Sequence, residues 1–530
     1  MNRPECHSLR RLVADREVLF CAHPQVHAMR NVITPAVCKS CGRRIDPPPA
    51  EFRSVTFGTG PLRQRAGMQL VVARYRENLD WLRRFRGLSQ VVYDKGDPGA
   101  ENPLPNVGRE AHTYLHHVLA NYDRLAPITV FLQGDPHAHA PDLDEKIWSL
   151  EQGFGYRDLV NHILVEDARG HPVQPGLPVG EMYKELFGEP APDFFLSHSA
   201  ACFAVARENI LRRPREFYQR ALEAVVRRPQ GPWEIERLWQ YIFRTRVATR
   251  GVVTAADAGF FRELRLFLLS YRRFAAYPLV VYDLGLHPDQ RDWCLEQPDV
   301  SLLPLPTIYK PVERIRRQHW WQAWLKPFYI YNSPFDRVLW IDADCTVLGQ
   351  LHDAFRELGE RPLLVRDATS AVTENRPELY RHLPIRSGAR TAGVNVNSGV
   401  LGFCKLRDGA ILNAWGYGVA WAAMNQDQQS LSAWADQGML LWALHRTGQT
   451  QFIRGDLAWN CPVHASRPGA AADPSPSLLA GATSKGHGIL EEIRRRYPDA
   501  KIVHWLGDFK LGRQLERELE QLFLCGAGDG

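Results

Sequence analysis

An α/β fold class follows from three features of the sequence. Short apolar runs of strand length alternate with amphipathic segments of helical period, the pattern of a sheet layered with crossover helices. One of these runs, Val338–Ile341, leads straight into Asp342-Ala343-Asp344. The alternation also occurs twice, over residues 68–245 and again over 250–515, with a Cys-containing stretch (1–50) ahead and a short tail (516–530) behind.

A chain of 530 residues has room for several domains. Its 45% hydrophobic and 23% charged content is that of an ordinary globular protein. No apolar run approaches the ~18–20 residues that a membrane span needs. The opening MNRPECHSLRRLVADREVLF carries acids and lacks a continuous apolar core, so no signal peptide is predicted and a cytoplasmic location is expected. The net charge of +6 is small and mostly Arg dispersed among acids, which does not indicate a nucleic-acid partner. In a cytosolic chain, ten cysteines are expected to be thiols or metal ligands rather than disulfides.

Four of the cysteines lie near the start. Cys38-Lys39-Ser40-Cys41 has C-x-x-C spacing followed by Gly42, the form of a zinc knuckle that sets two thiolates on one ion. Cys6 and Cys21 would complete a tetrahedral Zn²⁺ site, with His7, His23 or His27 as substitutes. Zinc is expected ahead of an iron–sulfur cluster, against the alternative of four unlinked thiols. Pro47–Pro49 ends this module.

In the next region Met68–Ala73 reads as a strand, Glu77–Phe85 as a helix, Gln90–Tyr93 as a strand and Ile128–Leu132 as another. Between the last two, Ala111, Leu115, Val118, Leu119 and Tyr122 fall on one helical face. His112 and His116 have metal-ligand spacing on that helix, but no third ligand accompanies them, and an exposed histidine pair is expected. The segments VVARYRENLDWL, VVYDKG, LPNVGREAHTYLHHVLANYD, TVFLQGDP, ACFAVARENILRRPREFYQRAL and ERLWQYIF resemble a bacterial and fungal family of unknown function, DUF3431, over about residues 68–245. The pattern is similar to a nucleotide-sugar transferase fold, with Gln133-Gly134-Asp135 ending a strand where such enzymes place metal ligands. The resemblance implies no activity, and a packing or acceptor-binding domain is the alternative.

After a boundary at Arg244–Arg250, Gly251–Ala255 opens a new strand and Asp257 can cap the helix that follows it. Leu279–Tyr282 is a strand, and Trp320–Tyr331 reads as an aromatic helix carrying Lys326. In the strand ending at Ile341, residues two apart point to one side, so Asp342 and Asp344 converge. Paired carboxylates at the carboxyl end of a buried strand stand where open α/β sheets bind ligands, and they suit Mg²⁺ or Mn²⁺ on a diphosphate. A D-x-D tripeptide alone is common; Asp142-Leu143-Asp144 also fits it, in a polar loop.

Three later segments give the pair its context: Gly393–Phe403 (GVNVNSGVLGF), Trp434–Leu440 (WADQGML) and Val503–Gly512 (VHWLGDFKLG). Read singly, they are a bulged strand, a capped helix and a structural histidine. Together, in this order, IDAD, NVNSG, DQG and HWLGDFK resemble the family-eight retaining glycosyltransferases of the glycogenin and lipopolysaccharide-galactosyltransferase type, over about residues 250–515. The resemblance implies a GT-A-type fold, preceded by the second α/β domain and the Cys-rich module. It implies a nucleotide-sugar donor, usually UDP-linked, and leaves the acceptor open among glycan, lipid, protein and small molecule.

By the same resemblance Asp342, Asp344 and His504 are metal ligands, and Gly507 and Lys510 contact the donor diphosphate. Thr254 and Asp257 lie near the nucleotide base, with Lys326, Ser398 and Gly399 also in the donor site; Asn397, Asp436 and Gln437 hold the sugar and approach the reacting carbon. Two carboxylates with an imidazole favour Mn²⁺ over Mg²⁺. No carboxylate pair is placed as base and nucleophile, which suits retention through leaving-group departure. The family's usual Lys-Pro-Trp ending is here Lys510-Leu511-Gly512. Two other classes compete: a nucleotidyltransferase, which would carry a Gly-rich phosphate loop near Gly251–Phe261, and a sugar-nucleotide-binding protein without turnover.

Overall fold

The computed structural model describes residues 67–150, 153–308, 321–367, 396–425, 435–456, 458–464, 489–506 and 517–518, with the backbone of four short N-terminal strands. Those strands pair antiparallel, Ser8–Val13 with Arg16–Cys21 and Ala36–Val37 with Arg44–Ile45. Cys6, Cys38 and Cys41, three of the four expected zinc ligands, lie outside the described residues, as do Gly507 and Lys510. The chain divides into two compact units, Met1–Ala248 and Thr249–Gly530.

In the first unit, strands β1 (Met68–Arg74), β2 (Ser89–Asp94) and β3 (Ile128–Gln133) are parallel, with β1 between the other two. Two short strands, β4 (Tyr156–Asp158) and β5 (Phe203–Ala206), extend the sheet, β5 running antiparallel to both β3 and β4. The apolar runs are strands because both faces are covered: Leu70, Val71 and Val72 are all fully buried. Helix α1 (Arg109–Ala120) buries Ala111, Tyr114, Leu115 and Val118, a stripe of helical period, and packs beside α2 (Arg215–Arg227).

The helix expected over 77–85 is instead a six-residue 3-10 turn, Asp80–Phe85. Local side chains hold the backbone at 75–80 in bonded turns that take the place of a first helical turn. Glu77 accepts from the N–H groups of Tyr75 and Arg76, and Asn78 from that of Asp80. The histidine pair is not an exposed one either: His112 is buried and its ring stacks on that of His116. Near the end of the unit, α3 (Gly231–Glu236) starts at Gly231-Pro232, where proline's missing N–H is tolerated in the first turn.

In the second unit, β6 (Arg250–Ala256) is followed by α4 (Phe261–Phe274), β7 (Leu279–Asp283) and β8 (Val300–Pro304). Asp257 caps the short turn that leads into α4 by accepting from the N–H groups of Gly259 and Phe260. The aromatic helix expected over 320–331 is two pieces, Trp321–Trp324 and α5 (Lys326–Asn332), because Pro327 starts a new helix rather than continuing one. Next come β9 (Arg337–Ile341), β10 (Cys345–Val347), β11 (Leu363–Arg366) and β12 (Val396–Cys404). Two long helices, α6 (Lys405–Asn425) and α7 (Ala435–Arg446), precede the short strands β13 (Ile453–Arg454), β14 (Cys461–His464) and β15 (Ile502–Leu506).

The main sheet runs β8-β7-β6-β9-β12-β11-β13. Its strands β8, β7, β6 and β9 are parallel, and β12 is antiparallel to β9. Parallel strands joined by crossovers, an acid-ended strand and then an antiparallel neighbour make this a mixed α/β sheet, the fold class that the sequence predicts. A second sheet, β10-β15-β14, lays the end of the chain along β10. Among the described residues no helix is long and apolar enough to cross a membrane.

Candidate active site

Strand β9 delivers Asp342 at its carboxyl end, and the Asp342 N–H donates to the Gly399 carbonyl of β12 at 2.8 Å. Both carboxylate oxygens of Asp342 are engaged. Trp340 Nε1 donates to Oδ1 at 2.7 Å and Lys326 Nζ to Oδ2 at 2.9 Å. Asp344 stands two residues on, with its Oδ1 buried and lacking a hydrogen-bond partner.

The third expected ligand arrives from the far end of the chain. Strand β15 pairs with β10 in a register that sets His504 opposite Cys345, and the Trp505 N–H donates to the Asp344 carbonyl at 3.2 Å. His504 Nε2 then lies 3.4 Å from Asp344 Oδ1 and 3.9 Å from Asp342 Oδ2. Its other nitrogen, Nδ1, is 3.1 Å from Asn460 Oδ1, and Asn460 Nδ2 donates at 2.8 Å to Asn397 Oδ1. This chain of contacts orients the imidazole from behind, as outer-shell partners do for ligating histidines. Gly399 makes room for the ring: a Cβ there would fall 2.1 Å from His504 Cε1. In this structure, then, Gly399 seats His504.

Lys326 is the cation at the centre of the cluster. It is 5% exposed, contacts the Ser398 carbonyl at 3.2 Å and Oγ at 3.3 Å, and lies 3.5 Å from Asp436 Oδ2. Ser398 Oγ donates to Asp436 at 2.7 Å, and Gln437 Oε1 accepts the Ser398 N–H at 3.1 Å. Gln437 Nε2 in turn donates to Asp367 at 2.8 Å. Asp436 and Gln437 thus clamp the middle of β12 from α7. Thr254 and Asp257 are placed separately, on β6 and just past its end. Thr254 is fully buried, with an unpartnered Oγ1, and Asp257 also accepts from Gln322 at 3.2 Å.

The electrostatics follow from this packing. Burial pushes the Asp342 carboxyl above its ordinary range, with Lys326 opposing the rise and Asp344 adding to it. Burial disfavours a charged His504, but Asp344 and Asp342 outweigh it and hold the imidazole above its ordinary value. Burial likewise opposes the Lys326 ammonium, and Asp342 and Asp436 more than compensate. Burial and the two aspartates raise the Cys345 thiol well above its usual value, which keeps it protonated.

The donor set fits a divalent cation. Ligand atoms of Asp344, Cys345 and His504 lie within 4.8 Å of one another, the only such group among the described residues, and a buried carboxylate oxygen stands unpartnered in it. Asp342 keeps lone pairs beyond its two hydrogen bonds. A hard ion would take oxygen and nitrogen and leave the thiol. Sequence reasoning missed Cys345, Asn460 and Trp340. Cys345 adjoins the D-x-D and so was visible, whereas nothing local marks Asn460.

A family described as proteins of unknown function, DUF3431, matches residues 70–169 and 158–253. No curated protein matches the sequence. Similar solved structures include the glycosyltransferase GlyE of Streptococcus pneumoniae TIGR4, at 17% identity and a TM-score of 0.32, covering 53% of this chain and 61% of that one. This chain therefore spans less than two thirds of that protein. The galactosyltransferase LgtC, solved with donor and acceptor sugar analogs, is 15% identical with a TM-score of 0.33, over 52% of this chain and 95% of its own. The bifunctional glycosyltransferase WbbM is 11% identical with a TM-score of 0.34, over 83% of this chain and 94% of its own.

Proposed function

We propose that the second unit is a glycosyltransferase that moves a sugar from a nucleotide-sugar donor, UDP-linked in the first instance, with Mn²⁺ ahead of Mg²⁺ as the metal. The observation that carries this reading is the meeting of Asp342, Asp344 and His504 at the carboxyl end of β9, where α/β sheets take ligands. Asp344, His504 and Asp342 would hold the ion, which as a Lewis acid supplies charge neutralisation to a departing diphosphate.

The protein's own groups supply positioning. Lys326 donates to Asp342 and opposes the rise that burial imposes on its carboxyl, and Asn460 fixes the His504 ring. Asp436 and Gln437 are committed to Ser398 and Asp367, so neither is a free nucleophile. That commitment supports transfer with retention, by leaving-group departure rather than through a covalent enzyme intermediate.

The test is incubation of the full chain with a panel of nucleotide sugars and Mn²⁺, reading nucleotide release and the anomeric configuration by NMR. Turnover that falls at least ~100-fold in Asp344→Asn and in EDTA is expected. Binding of donors without release in every case would replace the transferase with a binding protein, and an inverted product would remove the retaining mechanism.

A further inference from the structure

Cys345 stands among the ligands of the proposed metal site, yet a hard ion has no use for its sulfur. Strand pairing puts it there. Antiparallel β10 and β15 set Cys345 directly opposite His504, and directly opposed residues project from the same face of a sheet. Thiol, imidazole and the Asp344 carboxylate are thereby gathered, one ligand atom of each within 4.8 Å of the other two. Cys202, Cys294, Cys404 and Cys461 are also buried free thiols, but none of them joins such a group among the described residues.

The spacing suits a smaller, softer ion than Mn²⁺. Tetrahedral Zn²⁺, with its nitrogen and oxygen ligands each at about 2.0–2.2 Å, needs those two atoms about 3.3 Å apart. His504 Nε2 and Asp344 Oδ1 lie 3.4 Å apart. Asn460 occupies His504 Nδ1, so Nε2 is the nitrogen left to face an ion. Asp344 Oδ1 is buried without a hydrogen-bond partner, whereas Asp342 already receives Trp340 on one oxygen and Lys326 on the other. Asp344, Cys345 and His504 therefore offer one oxygen, one sulfur and one nitrogen, a three-ligand set that leaves tetrahedral Zn²⁺ one open position.

We propose that Cys345 makes this a site for thiophilic divalent cations, and that Zn²⁺ bound through Asp344, Cys345 and His504 displaces Mn²⁺ and holds the transferase inactive. The inhibition rests on the function proposed above; the ligation does not. Nitrogen and oxygen ligands already favour Zn²⁺ over Mn²⁺, and a thiolate widens that preference selectively. Burial and the two aspartates keep the thiol protonated in the ion-free site, but a coordinating thiol is deprotonated outright. The metal–sulfur bond forms as the S–H proton passes to solvent, one proton per ion bound. Charge donated by the thiolate weakens the ion as a Lewis acid, and with it the neutralisation that a departing diphosphate needs.

Electron paramagnetic resonance of free Mn²⁺ tests the displacement on the full chain. Free Zn²⁺ is raised in a buffered series over the Mn²⁺-loaded protein, and the returning free-ion signal reads the Mn²⁺ site whatever the cysteines of residues 1–50 take up. Half-release is expected to need about tenfold or more Zn²⁺ in Cys345→Ala and in Cys345→Ser than in the parent. Co²⁺ in place of Zn²⁺ is expected to show a thiolate charge-transfer band in the difference spectrum between the parent and Cys345→Ala. An unchanged half-release concentration in both variants, or a difference spectrum without that band, overturns the ligation. Nucleotide-sugar turnover that persists at Zn²⁺ concentrations releasing Mn²⁺ overturns the inhibition. A parent that retains no Mn²⁺ removes the metal from the proposed function instead, and the Co²⁺ spectrum then decides the ligation by itself.

Discussion

Lys326→Met replaces the buried cation with an apolar side chain of similar length and leaves Asp342 and Asp436 facing each other without it. At an effective dielectric constant near 20, contacts of 2.9 and 3.5 Å correspond to gross attractions of about 6 and about 5 kcal/mol. Desolvation of each ion offsets several kcal/mol of that. Removing one partner forfeits the attraction while the carboxylates stay buried, so the net loss expected is about 3–5 kcal/mol. Urea-dependent hydrogen exchange of β9 and β12 amides reads the second unit directly. Because the Lys326 pKa is raised, its contribution is fully present below the ordinary lysine range and is lost only as pH rises through the raised value. The deficit of the variant shrinks toward acid pH, where Asp342, whose carboxyl burial already raises, takes up a proton. A loss under about 1 kcal/mol at neutral pH would refute the picture of Lys326 as the buried counter-ion.

Gly399→Ala places a methyl group against the His504 ring; an overpacking cost of about 1–3 kcal/mol is expected, with Mn²⁺ affinity by calorimetry at least tenfold weaker. Unchanged metal affinity would show that His504 needs no such seat. In the first unit, burial, helped by His116, lowers the His117 pKa from 6.5 to about 4. A lowered pKa means stability that is present above the unfolded value and lost as pH falls through about 4, a change of up to about 3 kcal/mol. Urea midpoints between pH 7 and pH 4 should therefore fall less in His117→Gln than in the parent; equal falls would place the acid sensitivity elsewhere.

Much of the site is written locally. The α/β class, the buried run of β9 and the convergence of Asp342 with Asp344 all follow from side-chain period and strand length, which neighbouring residues set among themselves. Tertiary structure alone decided that His504 lies opposite Cys345, that Lys326 occupies the space between Asp342 and Asp436, and that Gly399 yields room to an imidazole about a hundred residues away. The reason is physical. Local periodicity depends on contacts within a few residues, whereas the pairing of β10 with β15 depends on burying Val347, Ile502 and Val503 together, a gain that exists only once the middle of the unit has met its later part.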